Sequence, residues 1–138
     1  MGEERKQKLG KEKAMPNAMD ENMNQNNIYS ETLESATDYI KKLIVGIKKY
    51  IEYMTSGRIS ESGDLLISII EGLDWEVKAL SLIKEKLNID LDISEVNAVL
   101  IDLSNAIQNN DYVLITDLFE YEILPILEKW KEYLENKK

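Results

Sequence analysis

The stretch "SETLESATDYIKKLIVGIKKYIEYMTSG", residues 30–57, decides the fold of this chain. Its apolar residues recur at alternating steps of three and four, the repeat that one face of an α-helix requires. Ser30 is a candidate N-cap, and Gly57 stands where such a helix would end. The stripe consists of Leu33, Ala36, Ile40, Leu43, Ile47, Tyr50 and Met54.

Three more segments with the same period follow, and none of them alternates as a strand would. The second helix is predicted from about Glu61 to Leu87, the third over about 94–108, and the last from about Tyr112 to Glu135. Asp92 and Glu95 have the spacing of a capping box before the third helix, and Asn110 or Asp111 can cap the last one. Short connections favour antiparallel neighbours, so the sequence predicts an all-α, up-down antiparallel four-helix bundle. Pro125 predicts a kink in the last helix, because proline cannot donate a backbone hydrogen bond. The inner stripe predicted for the second helix is Leu66, Ile69, Ile70, Leu73, Val77, Leu80 and Leu87.

The first 27 residues have a different composition from the rest of the chain. They are rich in Lys, Glu, Asn and Gln and lack apolar periodicity, so we expect residues 1–27 to be a disordered N-terminal arm and residues 28–138 to be the bundle domain. Met15, Met19 and Met23 offer later starts, which is compatible with vector-derived sequence in part of the arm.

Composition excludes several kinds of chemistry. The 138 residues include no cysteine and no histidine, which removes thiol nucleophiles, histidine-dependent triads and the usual zinc ligands. We predict neither a cofactor nor a metal site. The net charge is -9, and residues 61–122 hold fourteen acids against three bases, which disfavours nucleic acid and anionic membranes. The absence of a long apolar run predicts a cytoplasmic protein.

The segment "FEYEILPILEKW", residues 119–130, breaks the apolar pattern of the last helix. A regular helix places Glu122 on the inward face, beside Pro125 and its unpaired carbonyl. A buried carboxylate needs a hydrogen-bond partner, and the candidates are Tyr50 on the first helix or Ser104 and Asn105 on the third. The sequence therefore predicts a polar core pocket formed by Glu122, Tyr50 and Pro125.

The second helix carries apolar residues on the side opposite its predicted core stripe. Trp75 and Leu82 lie there, with the small residues Gly72 and Ala79 near them. Such a patch suits close packing of another helix, so these residues are the candidate partner-binding site. We expect a non-enzymatic adaptor or chaperone-like protein that binds a helical partner or a second copy of itself. Packing of the second helix on both sides within the domain explains the same pattern.

An enzyme is the alternative function. Glu71 with Asp74, and Asp117 with Glu120, are acidic pairs that each share one helix face. Two such pairs could hold Mg²⁺ against nucleotide phosphates, as in helical nucleotide pyrophosphohydrolases. On a helical wheel, however, both pairs point away from the bundle.

The acidic helical pattern with "YEILPIL" at residues 121–127 resembles an uncharacterised family of small proteins from low-GC Gram-positive bacteria. The size and helix pattern also look like those of flagellar export chaperones. That second resemblance implies a protein that shields a partner's helix, and it assigns no role to individual residues.

Overall fold

The structure is a computed structural model that describes the backbone of residues 18–137 and the side chains of residues 27–137. Within that range every regular element is helical, which confirms the all-α class, and no strand is found among the described residues. The elements are α1 (Ala18–Thr55), a 3₁₀ turn (Ile59–Glu61), α2 (Gly63–Ile83), α3 (Glu95–Gln108), α4 (Tyr112–Leu118), a π-helical turn (Phe119–Ile123) and α5 (Leu124–Lys137).

Helix α1 begins earlier than the sequence predicts. Ser30 lies inside the helix rather than capping it, and the predicted arm overlaps α1 over residues 18–27. Residues 1–17, the rest of that arm, lie outside the described residues. The chain divides into two units, Met1–Glu31 and Thr32–Lys138, and the second contains α2 to α5.

Three helix ends are marked by residues in the left-handed region of backbone conformation. Gly57 has a φ of 81°, which confirms that the first helix ends at "TSG". Asn88 and Asn110 have φ values of 56° and 52° after α2 and α3. Glycine and asparagine tolerate this region best, so the chain turns sharply at these positions with little strain.

The starts of α3 and α4 differ in how they are capped. Asp111 caps α4 as predicted, since its side chain accepts a hydrogen bond from the Leu114 N–H at 3.2 Å. The capping-box pair predicted before α3 is wrong, because Ser94 is the N-cap residue and its side chain makes no capping bond. Glu95 instead pairs with Lys129 of α5 at 2.8 Å, which ties the start of α3 to the last helix.

Helix α1 packs antiparallel to both α2 and α5. A Cβ added to Gly46 would approach Leu65 and Ile69, whereas one added to Gly72 would approach Tyr39 and Leu43, so α1 and α2 run in opposite directions. The ion pairs Lys41–Glu135 at 3.3 Å and Lys48–Glu128 at 3.7 Å show the same for α5. The largest fully buried side chains are Trp130, Tyr50, Phe119, Ile40, Ile47, Leu73, Leu80, Ile83, Leu103, Ile115, Ile123 and Leu127.

The connection between α2 and α3 is anchored by polar contacts. The Lys84 ammonium donates to the carbonyl of Ile89 at 3.2 Å and to that of Leu91. The Asp90 N–H donates to the Tyr133 hydroxyl at 2.6 Å, which joins this connection to α5. Backbone groups in a loop need such partners, because an unpaired buried carbonyl is costly.

Candidate functional site

The predicted partner-binding residues separate into exposed and buried pairs. Trp75 is 43% exposed and Leu82 is 60% exposed, so both remain on the surface of α2. Ala79 is buried at 8% exposure, and Gly72 is buried as well. The prediction of a single outward patch was wrong for Ala79 and Gly72.

Gly72 is buried because α1 passes directly over it. A Cβ at this position would lie 2.5 Å from the Tyr39 hydroxyl and 2.7 Å from Cδ2 of Leu43, both far inside normal contact distance. The absence of a side chain therefore allows α1 and α2 to approach each other here. The small residue serves packing inside the domain and cannot also contact a partner.

Trp75 stands beside the same tyrosine. The rings of Tyr39 and Trp75 meet edge to face, with centroids 5.3 Å apart and planes at 77°. The two rings line a shallow cleft of about 510 Å³ between α1 and α2, together with Ser35, Ser68 and Glu71. Of the four residues predicted to form the outward patch, Trp75 and Gly72 line this cleft.

A larger groove lies between α2 and α3. Its volume is about 540 Å³, and most of its surface is aliphatic. The apolar lining consists of Leu66, Ile67, Ile70, Leu73, Leu100, Leu103 and Ile107. Ile67 remains 58% exposed at its edge. Sequence reasoning missed this groove, because Leu66, Ile70 and Leu73 had been assigned to a filled core.

Acidic side chains line the α2 side of this groove. Glu71 and Asp74 both contribute to its wall, and both are exposed. Asp74 also pairs with Lys78 at 2.8 Å on the surface of α2. Glu71 lines both the α2–α3 groove and the cleft beside Trp75, so this acidic residue lies between the two concave surfaces.

Glu76 is the buried acid among the described side chains, and sequence reasoning did not select it. Its side chain is completely buried, and neither carboxyl oxygen has a hydrogen-bond partner. Burial away from water raises the pKa of Glu76 to about 8, because desolvation disfavours the charged form. A sequence signal existed: Ile69, Leu73, Glu76, Leu80 and Ile83 are spaced by alternating steps of four and three, with the acid at the centre.

The predicted polar pocket around Glu122 does not form. Glu122 and Pro125 are both exposed, and only Tyr50 is buried. The cause is the π-helical turn at Phe119–Ile123, in which the Leu124 N–H bonds to the Phe119 carbonyl five residues back. This turn adds a residue to the repeat, so the side chains at 123 and 124 turn inward and Glu122 turns outward.

Pro125 follows this turn after one residue, Leu124. The chain remains helical on both sides of the proline, since α5 begins at Leu124. A proline lacks the N–H that the next helical bond would need, and π turns are one way in which a helix accommodates that loss.

Tyr50 is buried for a different reason from the predicted one. Its ring meets that of Phe119 edge to face, at 5.3 Å between centroids. Its hydroxyl has no hydrogen-bond partner. Burial, and after it the neighbouring Tyr112, raises the pKa of the Tyr50 hydroxyl. Tyr50 therefore contributes aromatic packing to the core.

The acidic pairs of the enzyme alternative remain on the surface. Glu71, Asp74, Asp117 and Glu120 are all exposed. Among the described residues, no three acidic side chains gather closely enough to hold a metal ion. Nor does any described helix have the length and apolarity needed to cross a membrane.

A family model of a domain of unknown function, DUF8042, matches residues 31–133, from within α1 to near the end of α5. The chain belongs to this family. The match covers α2, α3 and both concave surfaces described above, so these surfaces lie within the family's domain. No curated protein and no solved structure matches the chain.

Proposed function

We propose that this DUF8042 domain is a non-enzymatic protein-interaction module, an adaptor or chaperone-like protein, that binds an amphipathic helix of a partner in the groove between α2 and α3. The observation that supports this proposal is the open aliphatic groove of about 540 Å³, with Ile67 58% exposed at its edge. This site lies beside the Trp75–Leu82 surface that the sequence predicts.

The shape and lining of the groove suit a helix. A helix in a groove inserts apolar side chains spaced by three, four and seven residues, and it leaves its polar face in water. Leu66, Ile70 and Leu100 line the floor without being fully buried, so an inserted side chain would remove their remaining apolar area from water. That burial is favourable by about 25 cal/mol per Å².

The charge around the groove indicates the partner's chemistry. Glu71 and Asp74 line one wall, and residues 61–122 hold fourteen acids against three bases. A helix with basic residues beside its apolar stripe would be attracted to this surface, whereas an acidic helix would be repelled. Affinity should therefore fall as ionic strength rises.

The proposal includes the up-down antiparallel bundle. Antiparallel packing of α1 with α2 and of α1 with α5 supports this arrangement. In such a bundle α2 and α3 form one side of the domain, which leaves their groove open to a partner.

A model peptide tests the proposal. The probe is a peptide of about four helical turns with leucine on one face and lysine on the other. Isothermal titration calorimetry should detect its binding to the protein, and the same peptide with glutamate in place of lysine should not bind. Failure of the basic peptide to bind would refute the proposal.

Two matched variants locate the contact. Ile67→Ser removes an exposed apolar side chain at the groove and should weaken peptide binding by about fivefold, or about 1 kcal/mol. Val113→Ser makes a similar change at a residue of α4 that is 74% exposed, and it should leave binding unchanged. Equal losses in both variants would contradict binding in this groove. If a second copy of the chain is the natural occupant, the peptide should dissociate a dimer in sedimentation experiments.

A further inference from the structure

The cleft between α1 and α2 has the chemistry of a cation-binding site. Its two aromatic walls, Tyr39 and Trp75, stand nearly at right angles, with 77° between the ring planes. The faces of aromatic rings carry partial negative charge, and they attract ammonium and guanidinium groups within about 6 Å of the ring centre. The two rings form a corner, and a single cation in this corner can contact the faces of both rings.

Packing holds this corner in place. The Tyr39 hydroxyl would lie 2.5 Å from a Cβ on Gly72, so the tyrosine occupies the space that a side chain at Gly72 would fill. Trp75 is one turn further along α2 and packs against the same ring. The walls are thus formed before any ligand arrives, which reduces the entropy lost on binding.

A carboxylate completes the site. Glu71 lines the cleft, is exposed, and forms no ion pair with any residue whose side chain the structure describes. The other polar groups in the lining, the hydroxyls of Ser35 and Ser68, are neutral. A cation in the corner would therefore meet ring faces and one unpaired negative charge.

We propose that the cleft lined by Tyr39, Trp75 and Glu71 binds the cationic side chain of an arginine or lysine on the partner helix. This inference rests on the proposed function for the identity of the partner, and it adds a second contact beside the α2–α3 groove. Glu71 borders both surfaces, so a helix in the groove can extend a long basic side chain across α2 toward Trp75. Arginine should bind more tightly than lysine, because its planar guanidinium stacks on aromatic rings.

Small probes test the cleft separately from the groove. The probes are N-acetyl-arginine methylamide, the lysine equivalent, and the uncharged norleucine equivalent as control. Titration followed by the indole N–H signals in NMR should shift Trp75, which is 43% exposed, and leave Trp130, which is 1% exposed, unchanged. Glu71→Gln should weaken arginine binding by about threefold. Glu85→Gln, a matched change at another exposed acid of the chain, should not. Equal shifts with the norleucine probe would overturn the proposal.

Variants of the aromatic walls show whether the rings themselves bind. Tyr39→Phe keeps the ring and should retain arginine binding, whereas Trp75→Leu should reduce it by about fivefold. Isothermal titration calorimetry measures both affinities, because Trp75→Leu has no indole signal at this position. Circular dichroism should show unchanged helix content for Trp75→Leu, since that side chain is partly exposed. Unchanged arginine affinity in Trp75→Leu would overturn the cleft proposal.

The leucine–lysine peptide, with one lysine replaced by arginine, separates this inference from the proposed function. If Ile67→Ser weakens peptide binding and Trp75→Leu does not, the groove is correct and the cleft is wrong. If the arginine probe binds while no peptide does, the cleft is a cation site and the groove proposal fails.

Discussion

Replacing Glu76 with leucine should stabilise this protein, and the gain should grow as the pH rises. The Glu76 carboxyl is completely buried without a hydrogen-bond partner, and burial raises its pKa from 4.5 to about 8. Between these two pH values the folded state holds one more proton than the unfolded state. The free energy of unfolding must therefore fall as the pH increases through this window.

The magnitude follows from the size of the pKa shift. One pKa unit corresponds to about 1.4 kcal/mol, so proton uptake on folding costs about 3 kcal/mol at pH 7. The cost reaches about 5 kcal/mol above pH 8, where the folded protein must hold the ionised group. Leucine has a similar size and does not titrate, so Glu76→Leu should recover this free energy and add apolar burial.

Urea denaturation followed by circular dichroism, at several values between about pH 5 and pH 8, measures the effect. The difference in unfolding free energy between Glu76→Leu and the wild type should increase by up to about 1.4 kcal/mol per pH unit. Glu85→Gln removes one charge from an exposed position and serves as the control for net charge. A pH-independent difference for Glu76→Leu would refute the reasoning, since it would mean that Glu76 ionises normally in the folded state.

Two further predictions concern packing and loop anchoring. Gly72→Ala should destabilise the protein by about 1–3 kcal/mol in thermal or urea denaturation, because its Cβ would lie 2.5 Å from the Tyr39 hydroxyl. Gly46→Ala is the control: its Cβ would meet its nearest neighbour at 3.7 Å, so the better helix propensity of alanine should leave stability unchanged or raise it. Lys84→Met should cost about 1–3 kcal/mol of unfolding free energy, because two loop carbonyls lose a charged donor. Lys86→Met, at an exposed lysine nearby, should have little effect, and equal losses in both would contradict the anchoring role.

The sequence alone determined the helical class and several helix ends. The three-and-four spacing of residues 33–54 requires one continuous apolar face, and a helix that presents such a face must bury it. Gly57 and Asp111 act through their own backbone and side-chain chemistry, so their roles can be recognised without knowing what packs nearby.

The orientation of the last helix could not be predicted in the same way. A helical wheel assumes 100° per residue throughout, and the π turn at Phe119–Ile123 violates that assumption. All positions after the turn shift by one residue relative to those before it. This is why Glu122 was assigned to the core although it lies on the surface.

Only the tertiary structure decided which side of α2 is buried. This helix has apolar residues on more than one side, so its sequence allows a stripe through Leu66 and Val77 as well as one through Ile69 and Glu76. The close approach of α1 at Gly72 selects the second stripe. That choice places an acid in the core and leaves Leu66, from the first stripe, to line an open groove, because a helix can turn only one face toward its nearest neighbour.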